Sequence, residues 1–431
     1  MRIRCLELFT FVGFAFGALF TGQERIDAQD LKPVDDGIEV APDNWPWWRG
    51  PMRNGTAYAE QSPPTEFDLE KNLLWQQTIP GRGSSSPTVV GDSVYLTSAD
   101  EDSDEQMVLC FARDSGQIKW RKTVHTSGGM RKNKKATAAS SSPACDGSRV
   151  YVCFPNNGRL VTTALSTGGE IVWQREISKY VVHQGYGSSP ALYQDMVIVS
   201  SDNKSGGAIA ALDRDTGEVV WKRDRPESPN YPSPILLNIG GSDQIIMVGC
   251  DQVVSYDPLT GKTNWETEGA TTECVTSTLT DGQHVYTSGG YPKNHMSAIK
   301  ADGTAAVAWE NKSRLYVPSL VIHEGYLYGV LDAGIAVCWQ ANTGKEMWKS
   351  RLGGTFSSSP VLVGNKIFVS SESGQFFVYE ANPTEYIELG RSQIGKEVFA
   401  TPTIIGSKVY HRVTDDRASG RQEVLMCLGA Q

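Results

Sequence analysis

A chain of 431 residues with a net charge of −9 at pH 7 has no electrostatic footprint for a polyanion, which argues against nucleic acid as a partner. Seven cysteines follow Cys5, an odd number without close pairs, so a disulfide framework is excluded. Length alone would suggest two or three domains.

Taken in chain order, Arg2 and Arg4 precede an apolar stretch from Leu6 to Phe20, and Ile26-Asp27-Ala28 offers a cleavage end. Residues 1–28 therefore read as a secretory signal, and the expectation is an exported, periplasmic or extracellular protein. An uncleaved anchor is the alternative, about 15 apolar residues being short for a span. Cys5 lies too early for a lipoprotein site. Residues 29–70 form a leader rich in Pro, Asp and Glu, with NWPWWRGPMRNG at Asn44 to Gly55. Tryptophans this dense are costly to leave in water, so they are expected to pack on the outer wall of the following domain or to cover one of its faces. The sharper reading is an aromatic ligand platform.

From Lys71 a single phrase repeats. An apolar strand end is followed by a Thr-Gly or Ser-Gly turn and a Trp four residues after the Gly, as in FARDSGQIKW, ALSTGGEIVW, LDRDTGEVVW, YDPLTGKTNW and WQANTGKEMW. With Trp75 and the looser copy ending at Trp309, the tryptophans fall 39 to 53 residues apart. A small residue before Pro runs in phase with them, at Ser86, Ser142, Ser189, Ser233, Ser359 and Thr401, with degenerate copies at Ser277-Thr278 and Pro318-Ser319. Alternating strands such as SVYLTS and AIAALD lie between the two markers, and no helical apolar period appears. A period of ~40–50 residues with four strands is a propeller blade. The prediction is an all-β, eight-bladed β-propeller over residues 71–431. Its last unit lacks a Trp strand, so the strand around Trp75 should complete it and close the ring. Cys110, Cys338 and Cys427 fall where other units place Thr, Ala or Ser, and read as core packing. The basic run from Arg131 to Lys135 lies in the loop between the first two blades and reads as a solvated loop.

The turn-and-Trp phrase resembles the docking motif of the pyrroloquinoline-quinone (PQQ) repeat propellers. That superfamily includes quinoprotein alcohol dehydrogenases and the assembly lipoprotein BamB. The leader Trp45-Pro46-Trp47-Trp48-Arg49-Gly50-Pro51 and the phrases at Ala139 to Val152 and His183 to Val199 are similar to the exported PQQ-like propeller proteins of planctomycete bacteria. A dehydrogenase of alcohols or sugars, as the resemblance implies, would need calcium held by carboxylate and amide oxygens, an Asp base and a Trp beneath a planar quinone. Adjacent cysteines, a Cys-x-x-Cys-His haem site and His metal spacings are absent.

If a ligand site exists, it belongs at the channel mouth, where the residues preceding the Ser-Pro markers gather. The candidates are Arg82, His183, Tyr186, Tyr231, Glu273, Arg314 and Tyr316, with Lys135, Phe356 and Glu397 on the same rim. Opposite charges among aromatics suit an oriented polar ligand, and Gly185 and Gly187 would let the backbone approach it. The bland alternative is that these groups solvate the rim and pair with one another. The leading expectation is a monomeric, non-catalytic scaffold that binds a protein, a small molecule or a polymer, with no catalytic residue and no metal. The alternatives are a PQQ- and calcium-dependent dehydrogenase and a BamB-like assembly platform.

Overall fold

The computed structural model describes residues 34–58, 60–130, 133–415 and 421–430; the expected signal at residues 1–28, and Arg131 and Lys132 of the basic run, lie outside the described residues. Eight four-stranded antiparallel sheets form the blades. Blade 1 runs Thr88–Val90, Ser93–Asp100, Glu105–Ala112 and Ile118–His125, from the channel outward. Burial explains the sequence pattern. The middle two strands are covered on both faces and read as apolar runs, whereas the outer strand is exposed or half-buried except at Val124. Among the described residues the only α-helix is the four-residue turn Leu69–Asn72. Leu73–Ile79 pairs with Gln422–Gly429, with Trp75 opposite Cys427, so the N-terminal strand closes the ring as predicted. All seven described cysteines are free thiols, six of them buried.

The repeated tryptophans hold neighbouring blades. The indole N–H of Trp75, Trp120, Trp173, Trp221, Trp309 and Trp348 each donates to a turn carbonyl of the following blade at 2.7–3.1 Å. The repeat glycine is needed because its φ is positive and because the ring lies against it. A Cβ on Gly217 would come 2.5 Å from the Trp173 ring, and one on Gly261 2.4 Å from Trp221. Trp265 departs from the rule and donates to Gln244 Oε1 in its own blade. The following turn is the loose copy, and a Cβ on its Gly303 would meet nothing within 4 Å. Seven tryptophans thus serve eight blades, and the blade without one is the seventh. Gly390 stands at its Trp position, paired with Val378 as Trp348 is paired with Cys338. The leader occupies the vacated space: Thr65 O would lie 2.1 Å from a Gly390 Cβ, and Phe67 packs edge-on against Phe376.

The Ser-Pro marker builds a belt around the channel. The backbone N–H of each belt residue donates to the hydroxyl of the next blade's belt residue, from Ser86 to Ser142, Ser189 and Ser233, then from Ser277 through Ser319, Ser359 and Thr401 back to Ser86. These seven bonds span 2.8–3.0 Å. Between Ser233 and Ser277 the leader intervenes, with Trp48 Nε1 donating to Ser277 Oγ at 2.7 Å.

The leader covers one face of the ring, which bears out the expectation for its tryptophans. Trp45 exchanges backbone bonds with Val89, and Pro46 O accepts from Cys145. Arg49 is buried and donates to the carbonyls of Leu320 and Pro360. Arg53 pairs with Asp36, donates to Leu192 O and stacks on Trp47 at 4.0 Å.

Two outcomes follow. Gly303→Ala should cost only the positive-φ strain, about 1 kcal/mol. Gly217→Ala adds a ring clash, so its fall in thermal midpoint should be at least twice as large. His411 is buried with Nε2 2.7 Å from Ser370 Oγ, and burial pulls its pKa down to about 3. Folded His411 stays neutral while the unfolded chain takes up a proton below about pH 6.5. Stability contributed by the neutral ring is therefore lost as pH falls from there towards 3. The drop in midpoint between pH 7 and 4.5 should shrink in His411→Asn.

Candidate functional site

The inner strand of each blade starts at the belt and runs away from one mouth, and the second strand returns to it. Two sets of residues therefore converge on that mouth: those preceding the belt, and the turns between second and third strands. They enclose an open cavity of about 760 Å³. Its floor is Trp48 with the belt residues Ser86, Ser142, Ser189, Ser233, Ser359 and Thr401. The leader seals the far side of the belt and leaves the His183 mouth open.

His183, Tyr186, Tyr231, Glu273, Arg314 and Tyr316 all line this cavity, as do Lys135 and Phe356. Arg82 and Glu397 do not. Both stand four residues before a belt residue, the same place as Glu273, and all three make the same isolated antiparallel bridge to the end of the second strand of their own blade or the residues just after it. Their partners decide their direction. Arg82 donates to Lys134 O at 3.0 Å, and Glu397 pairs with Arg421. Tyr186 lines the wall but directs its hydroxyl into blade 3, onto Ser200 O. Gly185 serves the chain itself: its φ is +147° and a Cβ there would meet Ala136 at 2.9 Å.

Glu273 is the centre of the arrangement. Its side chain is only 7 % exposed. His183 Nε2 lies 3.3 Å from Oε1, and the hydroxyls of Tyr231 and Tyr316 each lie 3.4 Å from Oε2. All three contacts are long for bonds to a charged acceptor, which run about 2.5–2.9 Å. A buried carboxylate held at these distances retains capacity for a closer donor. Burial first, and the Glu273 charge second, push both tyrosine hydroxyls well above the usual phenol range, so they act as donors.

Three residues that sequence reasoning missed complete the wall. Asp332 accepts the amides of Tyr316 at 2.8 Å and Val317 at 3.3 Å; burial raises its pKa and the amides offset part of that rise. Glu372 accepts from Ser357, Thr355 and Lys135, at 2.6, 2.9 and 2.7 Å. Burial works against its charge, but Lys135 and the hydroxyls hold it below the usual carboxylate range. Lys135 of the basic run thus reaches across to blade 7 and is more than a solvated loop residue. Tyr291 is the third. Asp332 and Glu372 sit in second-to-third-strand turns, and the return of the second strand to the mouth was the signal that could have found them.

Asp332 and Glu372 each face close donors of their own, and among the described residues no three His, Cys, Asp or Glu side chains gather closely enough to hold a metal ion.

The sequence profile of the PQQ-like family described as outer membrane protein assembly factor BamB matches residues 54–179, 104–350 and 317–384. The chain is 25 % identical over 426 residues to a polyvinylalcohol dehydrogenase of Sphingopyxis sp., covering 89 % of this chain and 56 % of that protein. It is 24 % identical to the assembly factor BamB of Legionella pneumophila, covering 52 % of this chain and 47 % of that one. It therefore spans about half the length of these two relatives. The quinohemoprotein alcohol dehydrogenase of Comamonas testosteroni shares the fold, with a TM-score of 0.65 at 13 % identity over 94 % of this chain and 84 % of that one.

Replacing Glu273 separates a ligand seat from a structural ion pair. Glu273→Leu should leave the thermal midpoint unchanged or raise it by a few degrees, because a buried carboxylate without a close donor is removed. Glu423 accepts Arg412 Nε at 2.9 Å with both side chains buried, so Glu423→Leu strands a buried guanidinium and should cost about 3–5 kcal/mol.

Proposed function

The chain belongs to the PQQ-like propeller family described as outer membrane protein assembly factor BamB, and from that membership we propose that it is an exported, non-catalytic binding propeller whose ligand seat is the open channel mouth around Glu273. The observation that carries this reading is the loosely held, buried Glu273 carboxylate facing a cavity of about 760 Å³. A ligand that donates hydrogen bonds there gains a partner in a low-dielectric wall, where such bonds are worth most. The volume lies within the roughly 300–1,000 Å³ of small-molecule sites.

A second reading, reception of an exported protein's loop at the same mouth, draws support from the BamB relative. A third, PQQ-dependent oxidation of an alcohol, draws on the dehydrogenase relative, while among the described residues no three His, Cys, Asp or Glu side chains cluster to hold a metal ion. Reconstitution discriminates. Incubated with PQQ and Ca²⁺ and then desalted, the protein should retain no stoichiometric quinone absorbance and should not couple alcohols to dye reduction. Retained quinone with dye reduction would replace binding by catalysis.

A further inference from the structure

Beyond its position, the mouth presents three groups with bonding capacity to spare. The first is at Glu273, which lacks a close donor. The second is at Arg314: its exposed guanidinium lies 5.9 Å from the Tyr316 ring centroid and makes no hydrogen bond or ion pair among the described residues, while Asp332 feels its charge only at a distance. Tyr316 ties the two together, its hydroxyl on Glu273 and its ring beside Arg314. The third is the floor. Each belt hydroxyl that lines it accepts a backbone amide, which leaves the O–H proton to donate.

A fitting ligand therefore carries an anionic group for Arg314, donors for Glu273 and several acceptors for the floor. We infer that the seat takes a hydroxylated carboxylic acid, a uronic acid unit of a saccharide. Its carboxylate would meet Arg314, which suits planar bidentate recognition. Its hydroxyls both donate and accept, and so answer Glu273 and the belt together. Tyr231, Tyr291 and Tyr316 supply apolar ring area for the sugar's C–H faces. A neutral sugar leaves Arg314 without a partner. An amino acid offers an ammonium and a carboxylate but no array of acceptors. This inference rests on the channel mouth being a ligand seat.

The test is titration calorimetry with glucuronic acid, a galacturonic acid trimer, glucose, maltotriose and acetate. Both uronates should bind at least tenfold more tightly than the neutral sugars. A tighter trimer identifies a polymer end as the source, and equal affinity identifies the free acid. Arg314→Met, an exposed change that spares the core, should bring the uronates down to the neutral-sugar level. Glu273→Leu should remove binding of both classes. Equal binding of uronates and neutral sugars, insensitive to Arg314→Met, overturns the uronate assignment and leaves the seat. No binding of any probe also overturns it. The seat itself then falls only if Glu273→Leu destabilises the protein, since that result makes Glu273 structural.

Discussion

The belt of amide-to-hydroxyl bonds around the channel is the constraint on which the rest depends. A propeller blade is stable only between two neighbours, and its innermost strand is too short to fix register alone. In this ring those strands run two to five residues. A serine or threonine entering each strand solves two problems at once, except at the one junction the leader fills. Its amide, which would otherwise be buried without a partner, reaches the next blade, and its hydroxyl satisfies the amide of the blade before. The proline behind it brings no further donor to the crowded axis. Seven of the eight junctions are thus clamped at the centre by the same short bond, and six at the rim by an indole over the next blade's turn. Two concentric sets of contacts, one polar and one aromatic, make eight weakly self-sufficient sheets into one body.

Where the pattern fails, the leader supplies what is missing. Trp48 enters the belt at its one gap, and the segment before Leu69 fills the space left by Gly390 in blade 7. Arg49 and Arg53 then bind strand-start carbonyls on separate blades. Arg49 does so without a carboxylate partner, and burial alone lowers its pKa to about 9. A group so desolvated is tolerated only where several carbonyls are fixed around it. The dense tryptophans are therefore a cap built into the ring. Closing one end of the channel also gives the other end a floor, and a tube becomes a pocket.

The fold was legible because its determinants repeat. Eight markers in phase count the blades whatever any single residue does, and the absence of Trp from the last unit locates the closure at Trp75. The vacancy in blade 7 was not legible, since Gly390 becomes meaningful only once the leader is seen against it. The mouth was legible by position and not by direction. Arg82, Glu273 and Glu397 occupy one structural place, yet two are drawn off by Lys134 and Arg421 and one faces the cavity. Backbone geometry gives the first fact, and contacts between residues far apart in sequence give the second. Asp332 and Glu372 were missed for a related reason: only one of the two chain segments that reach the mouth was read.

The residues that keep the repeat carry stability, and those that break it carry whatever is specific to this chain. Scaffold positions vary in chemistry without consequence, as Cys110, Ala164, Ala211 and Ser255 show at the one buried place opposite the blade tryptophan, Ala164 and not the expected Thr163 holding it in blade 2. The mouth behaves in the opposite way. No other blade repeats a Glu flanked by two tyrosine hydroxyls and a histidine, and the arrangement draws Tyr231, Glu273 and Tyr316 from successive inter-blade connections. A fold under pressure for stability alone would replace Glu273 with an apolar side chain, since its partners hold it at bonds longer than a charged acceptor prefers. Its presence in a wall whose other two carboxylates have close donors is what the proposed ligand seat would account for.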